Sequence, residues 1–516
     1  MIRSLRSLAR LTFIARTFAR EGALTPFETA FANAGIAPVF LLMIRLLFGR
    51  KKGKKRPGQR LARALADLGP TFIKLGQVLS TRSDLLGEEV AGDLAQLQDR
   101  LPSFPAFKAR ATIETELGAK IDNLFQHFED APVSAASISQ VHFAITQEGE
   151  EVAVKVLRPG IEAAIARDVE LMLWVAEIIE RTQPRLRRLK PVEIVQTFAA
   201  TLRVEMDLRL EAASATELIQ NFKNDPTYRV PRIDWRRTAQ RVMTQERLSG
   251  IRIDDKKNLI AAGINIPDML SKAAAIFFNQ AFRDGYFHGD QHPGNMMVLK
   301  EGTIGAVDFG IMGRLDKKTR YYLADMLLGF LNGDYERVAE IHVDAGYIPA
   351  NAKLEDFTLA LRSIGEPIRG KPLQQISFAR VLGQLFSISE TFKMEVQPQL
   401  LLLQKNMLMA EGISRQIAPH LNIWTLAQPL IEDWMRENRG PEARFLEAAE
   451  DSLRMIRRLP PLIAHLDRLA SQLANTGLKL NPEVLNVINR QNWMPYVLLF
   501  LLLSGIGLAI ANLFFE

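Results

Sequence analysis

Cysteine is absent from all 516 residues. That excludes a disulfide framework and thiolate metal sites, and it fits a reducing compartment. Acidic side chains are missing from the start of the chain, where the first acid is Glu21. No secretory signal is evident. Basic residues gather there instead: positions 1–60 hold thirteen Lys/Arg against two Glu, so the net charge of +7 conceals a slightly acidic remainder. A basic arm on an acidic body is aimed at an anionic surface, either membrane or nucleic acid. Basic–aromatic interleaving of the kind that stacks bases is lacking, so nucleic acid is set aside. With 47% hydrophobic and 24% charged residues the composition is globular rather than disordered or fibrous, and the length allows two or three units with a large core.

Charge is also missing from the other end. Tyr496 to Phe515 is a run of twenty residues without an ionisable acid or base. As a helix it spans about 30 Å, the thickness of a bilayer's hydrocarbon core. Trp493 and Tyr496 stand where interfacial aromatics belong, and Arg490 on the N-terminal flank places the body in the cytoplasm. At the N-terminus Arg3, Arg6, Arg10, Arg16 and Arg20 sit among apolar residues, as in a transit peptide or an amphipathic helix lying on anionic lipid. The apolar Ile36–Phe48 is too short to span and is broken by Arg45; it leads into Arg50, Lys51, Lys52, Lys54, Lys55 and Arg56, which suits acidic phospholipid.

The middle of the chain carries the chemistry. Gln140–Thr146 and Glu151–Leu157 read as strands joined by a turn. In the second, Val152, Val154 and Val156 share one face and leave Lys155 on the other. The sequence VAVK is like the kinase strand whose lysine grips the α/β-phosphates of ATP. A helix is expected over Val204–Phe222, with Glu211 inside an apolar stripe where a carboxylate must be paired; Lys155 is the expected partner. His288-Gly289-Asp290-Gln291-His292-Pro293-Gly294-Asn295 follows an expected helix over Pro267–Arg283, and Asp308-Phe309-Gly310 comes thirteen residues after Asn295. H-x-D-x-x-x-x-N followed by D-F-G is the kinase arrangement. Asp290 stands near the attacking oxygen, while Asn295 and Asp308 offer hard oxygen ligands to Mg²⁺. His288 and His292 do not make a zinc site, because Pro293 and Gly294 break any helix between them and no third ligand is evident.

Three features depart from an ordinary kinase. The loop that should cover the phosphates is Val133-Ser134-Ala135-Ala136-Ser137-Ile138-Ser139-Gln140-Val141, with Ser134, Ala136 and Ser139 where glycines belong. No A-P-E follows Asp308-Phe309-Gly310, so the segment that cradles a peptide substrate is missing. A helix after Gly69-Pro70 aligns Lys74, Gln77 and Thr81 on one face.

On these residues the chain resembles the UbiB family of atypical kinases. Lys74-Leu75-Gly76-Gln77 matches its K-x-G-Q signature, SAASISQVH its alanine-rich loop, and Glu205-Met206-Asp207 its E-x-D element. The motifs cover about residues 60–320. The resemblance implies an α+β, protein-kinase-like bilobal fold in which K-x-G-Q helices fold over the site and occlude protein substrates. It further implies that Lys74 and Gln77 reach the nucleotide, that Glu205 and Asp207 hold the extension, and that ATP with Mg²⁺ is used in ubiquinone biosynthesis. The expected organisation is a membrane-surface arm (1–60), a helical extension (61–120), an N-lobe (121–250), a helical C-lobe (251–490) and a transmembrane helix (495–515). Family members tend to end in two membrane helices, where the apolar run here allows one.

Expected partners are an anionic phospholipid membrane at the bacterial inner membrane, polyprenyl quinone precursors, other ubiquinone-biosynthesis proteins and a second copy of the chain. Nucleic acid is not among them. The leading function is a membrane-anchored kinase-like ATPase using Lys155, Glu211 and Asp290. A small-molecule phosphotransferase of the aminoglycoside- or choline-kinase type, and a non-catalytic scaffold, stand as alternatives.

Overall fold

The computed structural model describes residues 2–439 with breaks, the longest at 24–55, 81–86 and 370–376. The polybasic run 50–55, the Ile36–Phe48 stretch and the expected span over 495–515 lie outside the described residues. Among the described residues no helix is long and apolar enough to cross a membrane.

The chain opens with α1 (Ile2–Glu21), followed by α2 (Pro57–Leu68), α3 (Pro70–Ser80) and α4 (Glu88–Ala95). Leu61, Leu65, Phe72, Ile73 and Leu94 form their shared core. Gly76 is required there by packing: a Cβ at that position would stand 2.9 Å from Leu65 Cδ1. The glycine of the K-x-G-Q motif thus lets α3 press against α2.

Helices α5 (Ala106–Leu117) and α6 (Ile121–Leu124) lead into an antiparallel sheet of β1 (Phe125–Phe128), β2 (Ser134–Ala135), β3 (Ser139–Thr146), β4 (Glu151–Leu157) and β6 (Val242–Glu246). The expected hairpin is present. Val152, Val154 and Val156 pack with Ile113, Phe125 and Phe128 on one face, and Leu157 and Met243 pack with helices on the other. The helices on that second side are α7 (Ile161–Thr182), α8 (Pro191–Glu205) and α9 (Leu208–Asn221).

The single helix expected over 204–222 is two helices. Met206 and Asp207 leave the helical path, and the Asp207 carboxylate caps α9 by accepting from Arg209 N. An Asp at an N-cap satisfies one of the orphan amides of a helix start, which stabilises the break.

Below this lobe lie β5 (Tyr228–Arg229), β7 (Ile251–Arg252), α10 (Lys256–Ala261) and α11 (Ile266–Phe278). The expected helix over 267–283 does not keep one pitch, since residues Asn279–Asp284 widen into a π-helical turn. Such bulges re-aim side chains near functional sites. Short strands β8 (Tyr286–His288), β9 (Met296–Val298), β10 (Ile304–Ala306) and β11 (Met312–Arg314) frame the catalytic-type loops, and β11 pairs with β8.

The rest is helical: α12 (Lys317–Asn332), α13 (Tyr335–Asp344), α14 (Leu354–Gly365), α15 (Phe378–Ser387), α16 (Pro398–Ile417) and α17 (Ile423–Arg439). Phe287, Phe330, Tyr335, Phe357 and Leu403 are among the residues of its core.

His342 on α13 is fully buried in that core, with its Nδ1 2.8 Å from the Val338 carbonyl and its ring edge-on to Phe357. Burial lowers its pKa to about 4, against the pull of the Val338 carbonyl. An unfolded histidine titrates near 6.5, so acid favours the unfolded chain. The contribution is intact above about pH 6.5 and is lost as pH falls through about 4, by about 3 kcal/mol in all. Melting curves of wild type and His342→Leu across that window should show a shallower acid slope in the variant. Equal slopes would contradict the assignment.

Candidate active site

The sheet delivers Lys155 to the cleft. Its Nζ lies 2.7 and 2.9 Å from the two carboxylate oxygens of Glu211 on α9, and 3.4 Å from Asp308 Oδ1. Glu211 is buried and its Oε1 also accepts from Phe309 N at 3.2 Å. One carboxylate therefore joins the strand lysine, the lobe helix and the D-F-G backbone. Phe309 is buried beside His288, with ring centroids 5.5 Å apart.

Asp308 is half-exposed at the cleft floor (48%) and takes a left-handed backbone with φ of 67°. That conformation is costly for a side chain other than Gly, Asn or Asp, and such strain gathers at functional sites. Desolvation opposes its ionisation, but Lys155, then Lys74, then the Gly310 N–H hold the carboxyl well below the usual range. Desolvation likewise opposes the charge on Lys155, and Asp308 and Glu211 overcome it, so the ammonium titrates above its usual range. Burial raises the pKa of Glu211 against the pull of Lys155, and Asp308 raises it further, so two carboxylates gathered around one ammonium gain from an added cation.

The loop from His288 to Asn295 is built from several supports. His288 is fully buried, and burial lowers its pKa, so it is a neutral imidazole whose Nδ1 accepts from Asp290 N at 3.0 Å. Gln280 in the π-helical turn accepts from His288 N and from the Gln291 side chain. Gly289 is needed for close approach: a Cβ there would stand 2.9 Å from Ile311 Cγ2. Asn295 donates its amide N–H to the Asp290 carbonyl at 3.1 Å, which frees its amide oxygen for a ligand. Its own carbonyl accepts from Val307 N, one residue before Asp308.

Lys74 sits on α3 with its Nζ 2.9 Å from Glu205 Oε2, both side chains about 12% exposed. Lys74, Glu205, Lys155, Glu211 and Asp308 are thus linked through short contacts and mutual fields, with Asp290 and Asn295 in the adjoining loop. Gln77 is half-buried one turn further along α3. Asp207 is not part of this linkage, because its carboxylate is engaged by Arg209.

The Val133–Val141 loop divides. Ala136 N donates to Ser139 O to close a tight turn, and Arg158 donates to the Ala136 carbonyl. Val141 pairs with Lys155 and shares its face of the sheet. Gln140 pairs with Val156 on the opposite face, where its side chain is buried and bonded to the Phe104 backbone and His142. Ser137, Ile138 and Ser139 are buried, whereas Val133 and Ser134 are exposed. Ala135, Ala136 and Val141 are partly exposed, and Gln140 is the residue of this loop that the strand pairing turns away from Lys155.

Two residues of the site lie where sequence reasoning assigned no chemistry. Lys405 on α16 holds Asp290 Oδ1 at 2.6 Å, with side chains 30% and 23% exposed. Its neighbour Asn406 is 1% exposed, donates to the His288 carbonyl and accepts from Gln291 N. The only signal in the sequence is a Lys-Asn pair inside the apolar run LLLLQKNMLM.

Among the described residues no cluster of three His, Cys, Asp or Glu is placed to hold a metal. One carboxylate and one amide oxygen, Asp308 and Asn295, fit a different type of site. Mg²⁺ commonly takes one or two protein oxygens and completes its shell with phosphates and water.

Residues 96–342 match the ABC1 atypical kinase-like domain and residues 361–422 the UbiB helical domain. A probable protein kinase UbiB from Marinobacter nauticus is 44% identical over 438 residues, covering 84% of this chain and 80% of that protein. Its counterpart from Pseudomonas aeruginosa is 44% identical over 397 residues, 76% and 74% of the two chains. Among solved structures, the Rv3197–erythromycin complex from Mycobacterium tuberculosis is similar with a TM-score of 0.50 and 25% identity. It covers 76% of this chain and 97% of that one.

Proposed function

The chain belongs to the UbiB family of ABC1-type atypical kinases, which is implicated in ubiquinone biosynthesis, and from that premise we propose that it is a membrane-anchored, Mg²⁺-dependent ATPase acting on behalf of polyprenylated quinone precursors. The observation that carries the reading is the Lys155–Glu211–Asp308 cluster set beside Asp290 and Asn295. Lys155 holds the α/β-phosphates of ATP, and Asp308 with the Asn295 amide oxygen holds Mg²⁺, whose charge offsets that of the phosphates. Asp290 orients water, or an alcohol or phenol, and accepts its proton.

The environment of the cleft favours water over a protein acceptor. From Gly310 the chain reaches α12 at Lys317 after one short strand, leaving no platform for a peptide. Across the cleft the Lys74–Glu205 pair ties α3 to the end of α8. The membrane reading rests on the uncharged run Tyr496–Phe515 and the polybasic residues 50–56. It places the body at the cytoplasmic side of the bacterial inner membrane, next to apolar substrates. The mycobacterial relative's complex with erythromycin, a bulky macrolide, is in keeping with apolar small molecules as ligands of this fold.

ATP hydrolysis measured with and without anionic liposomes, and with a phenolic headgroup mimic, tests the reading. Turnover should rise about tenfold or more when both are present, since surface charge and apolar insertion concentrate the enzyme and its effector together. Hydrolysis indifferent to both additions would reject lipid coupling. Labelled γ-phosphate on the mimic would redirect the reading to a phosphotransferase.

A further inference from the structure

The cations around the cleft are divided unevenly. Lys155 and Lys74 both act on Asp308, on the side assigned to Mg²⁺. The loop HGDQHPGN contains neither Lys nor Arg, and His292 stands 4.0 Å from Asp290 Oδ2. The ammonium at the Asp290 end of the site comes from Lys405, 115 residues further along the chain. Anchoring of α16 to this loop is already provided by Asn406, which is buried and binds the backbone on both sides of Gly289 and Asp290. Lys405 is the more exposed of the two, on a flexible stem, and contacts a side chain rather than the backbone.

Phosphoryl transfer loads negative charge on the three equatorial oxygens of the moving group, and catalysis depends on cations already aimed at them. An attacking oxygen bonded to Asp290 lies about 3 Å from the carboxylate and about 3 Å from phosphorus in a near-attack arrangement. An ammonium that already touches Asp290 is then within side-chain reach of the γ-phosphoryl oxygens. We propose that Lys405 is a catalytic residue, delivered from the helical domain, that rests on Asp290 Oδ1 and turns to the γ-phosphoryl group once the triphosphate is bound, holding it through transfer. In that step a water oxygen bonds to phosphorus, the bond from phosphorus to the ADP oxygen breaks with its electron pair going to ADP, and the water proton passes to Asp290. This inference rests on the ATPase reading above. It adds that residues 96–342 alone do not complete the site.

The experiment uses the full-length protein and measures binding of Mg²⁺ with ADP and with the non-hydrolysable β,γ-imido analogue of ATP, beside turnover. Lys405→Met should weaken the triphosphate analogue about tenfold while ADP affinity stays within about twofold, the loss of one charge-assisted contact. Its kcat should fall by about 10²–10³, and Lys405→Arg should recover at least about a tenth of wild-type kcat. Lys405→Gln keeps a hydrogen bond to Asp290 and hence the loop packing, so a matching loss of triphosphate preference in that variant separates chemistry from folding. Equal weakening of both nucleotides, or of neither, overturns the role of Lys405 and leaves the ATPase reading standing. A wild-type protein that binds neither nucleotide overturns both.

Discussion

Asp308→Asn is expected to lower Mg²⁺-ATP turnover by at least about 10³-fold, to the background of the assay. The size of the effect follows from what the substitution keeps and what it removes. Asparagine tolerates the left-handed backbone at this position nearly as well as aspartate, so the φ of 67° is retained at little cost. The hydrogen bond from Gly310 N to Oδ1 also survives, since an amide oxygen can accept it. What is lost is the charge: both residues proposed to hold the metal are then neutral amides, and Lys155 keeps Glu211 alone. The variant should melt within a few degrees of wild type and still bind ADP without Mg²⁺. Hydrolysis at the wild-type rate would reject Asp308 as a metal ligand.

Glu211→Ala is expected to damage both stability and turnover. Three hydrogen bonds converge on this buried carboxylate, two from Lys155 and one from Phe309 N. Removing one member of a buried ion pair costs about 3–5 kcal/mol, because the other charge is left without its partner. Asp308, at 3.4 Å from Lys155, offsets part of that cost, so the lower end of the range is expected. The same offset is harmful to function: Lys155 drawn onto Asp308 competes with Mg²⁺ for the carboxylate, and turnover should fall by about 10²-fold or more. Denaturant midpoints and steady-state rates measured on Glu211→Ala and Glu211→Gln separate the two effects. Glutamine keeps an acceptor for Phe309 N and should recover stability ahead of activity. An unchanged midpoint in Glu211→Ala would mean that Asp308 alone suffices as the partner of Lys155.

Local patterns made much of this legible. Alternation along VAVKV placed Lys155 opposite the valines, and the loops HGDQHPGN and DFG are short enough that spacing fixes their chemistry. What was illegible depends on longer range or finer geometry. Lys405 meets Asp290 only because α16 packs under the catalytic-type loop, and no periodicity within either segment encodes that contact. The break between α8 and α9 was hidden by apolar spacing that runs on through Met206, while Asp207 as a cap carries the stop signal. Reading Val133–Val141 as one nucleotide-facing loop ignored the two-residue alternation of a strand, which sends Gln140 to the far side of the sheet. The arginine-rich opening has the pattern of a transit peptide or a lipid-facing helix. Two of its five arginines also make contacts within the protein: Arg10 binds both oxygens of Asp168 and the Leu68 carbonyl, and Arg20 pairs with Asp67 at the surface.

That Arg10–Asp168 contact joins residues 158 positions apart. At a synthesis rate of roughly 5–20 residues per second, α1 leaves the ribosome roughly 8–30 s before its partner exists. For that interval Arg10 has no carboxylate from α7 to meet. The order of translation therefore lets α1 settle on α2, whose Leu68 carbonyl Arg10 also meets, well before α7 supplies the acid.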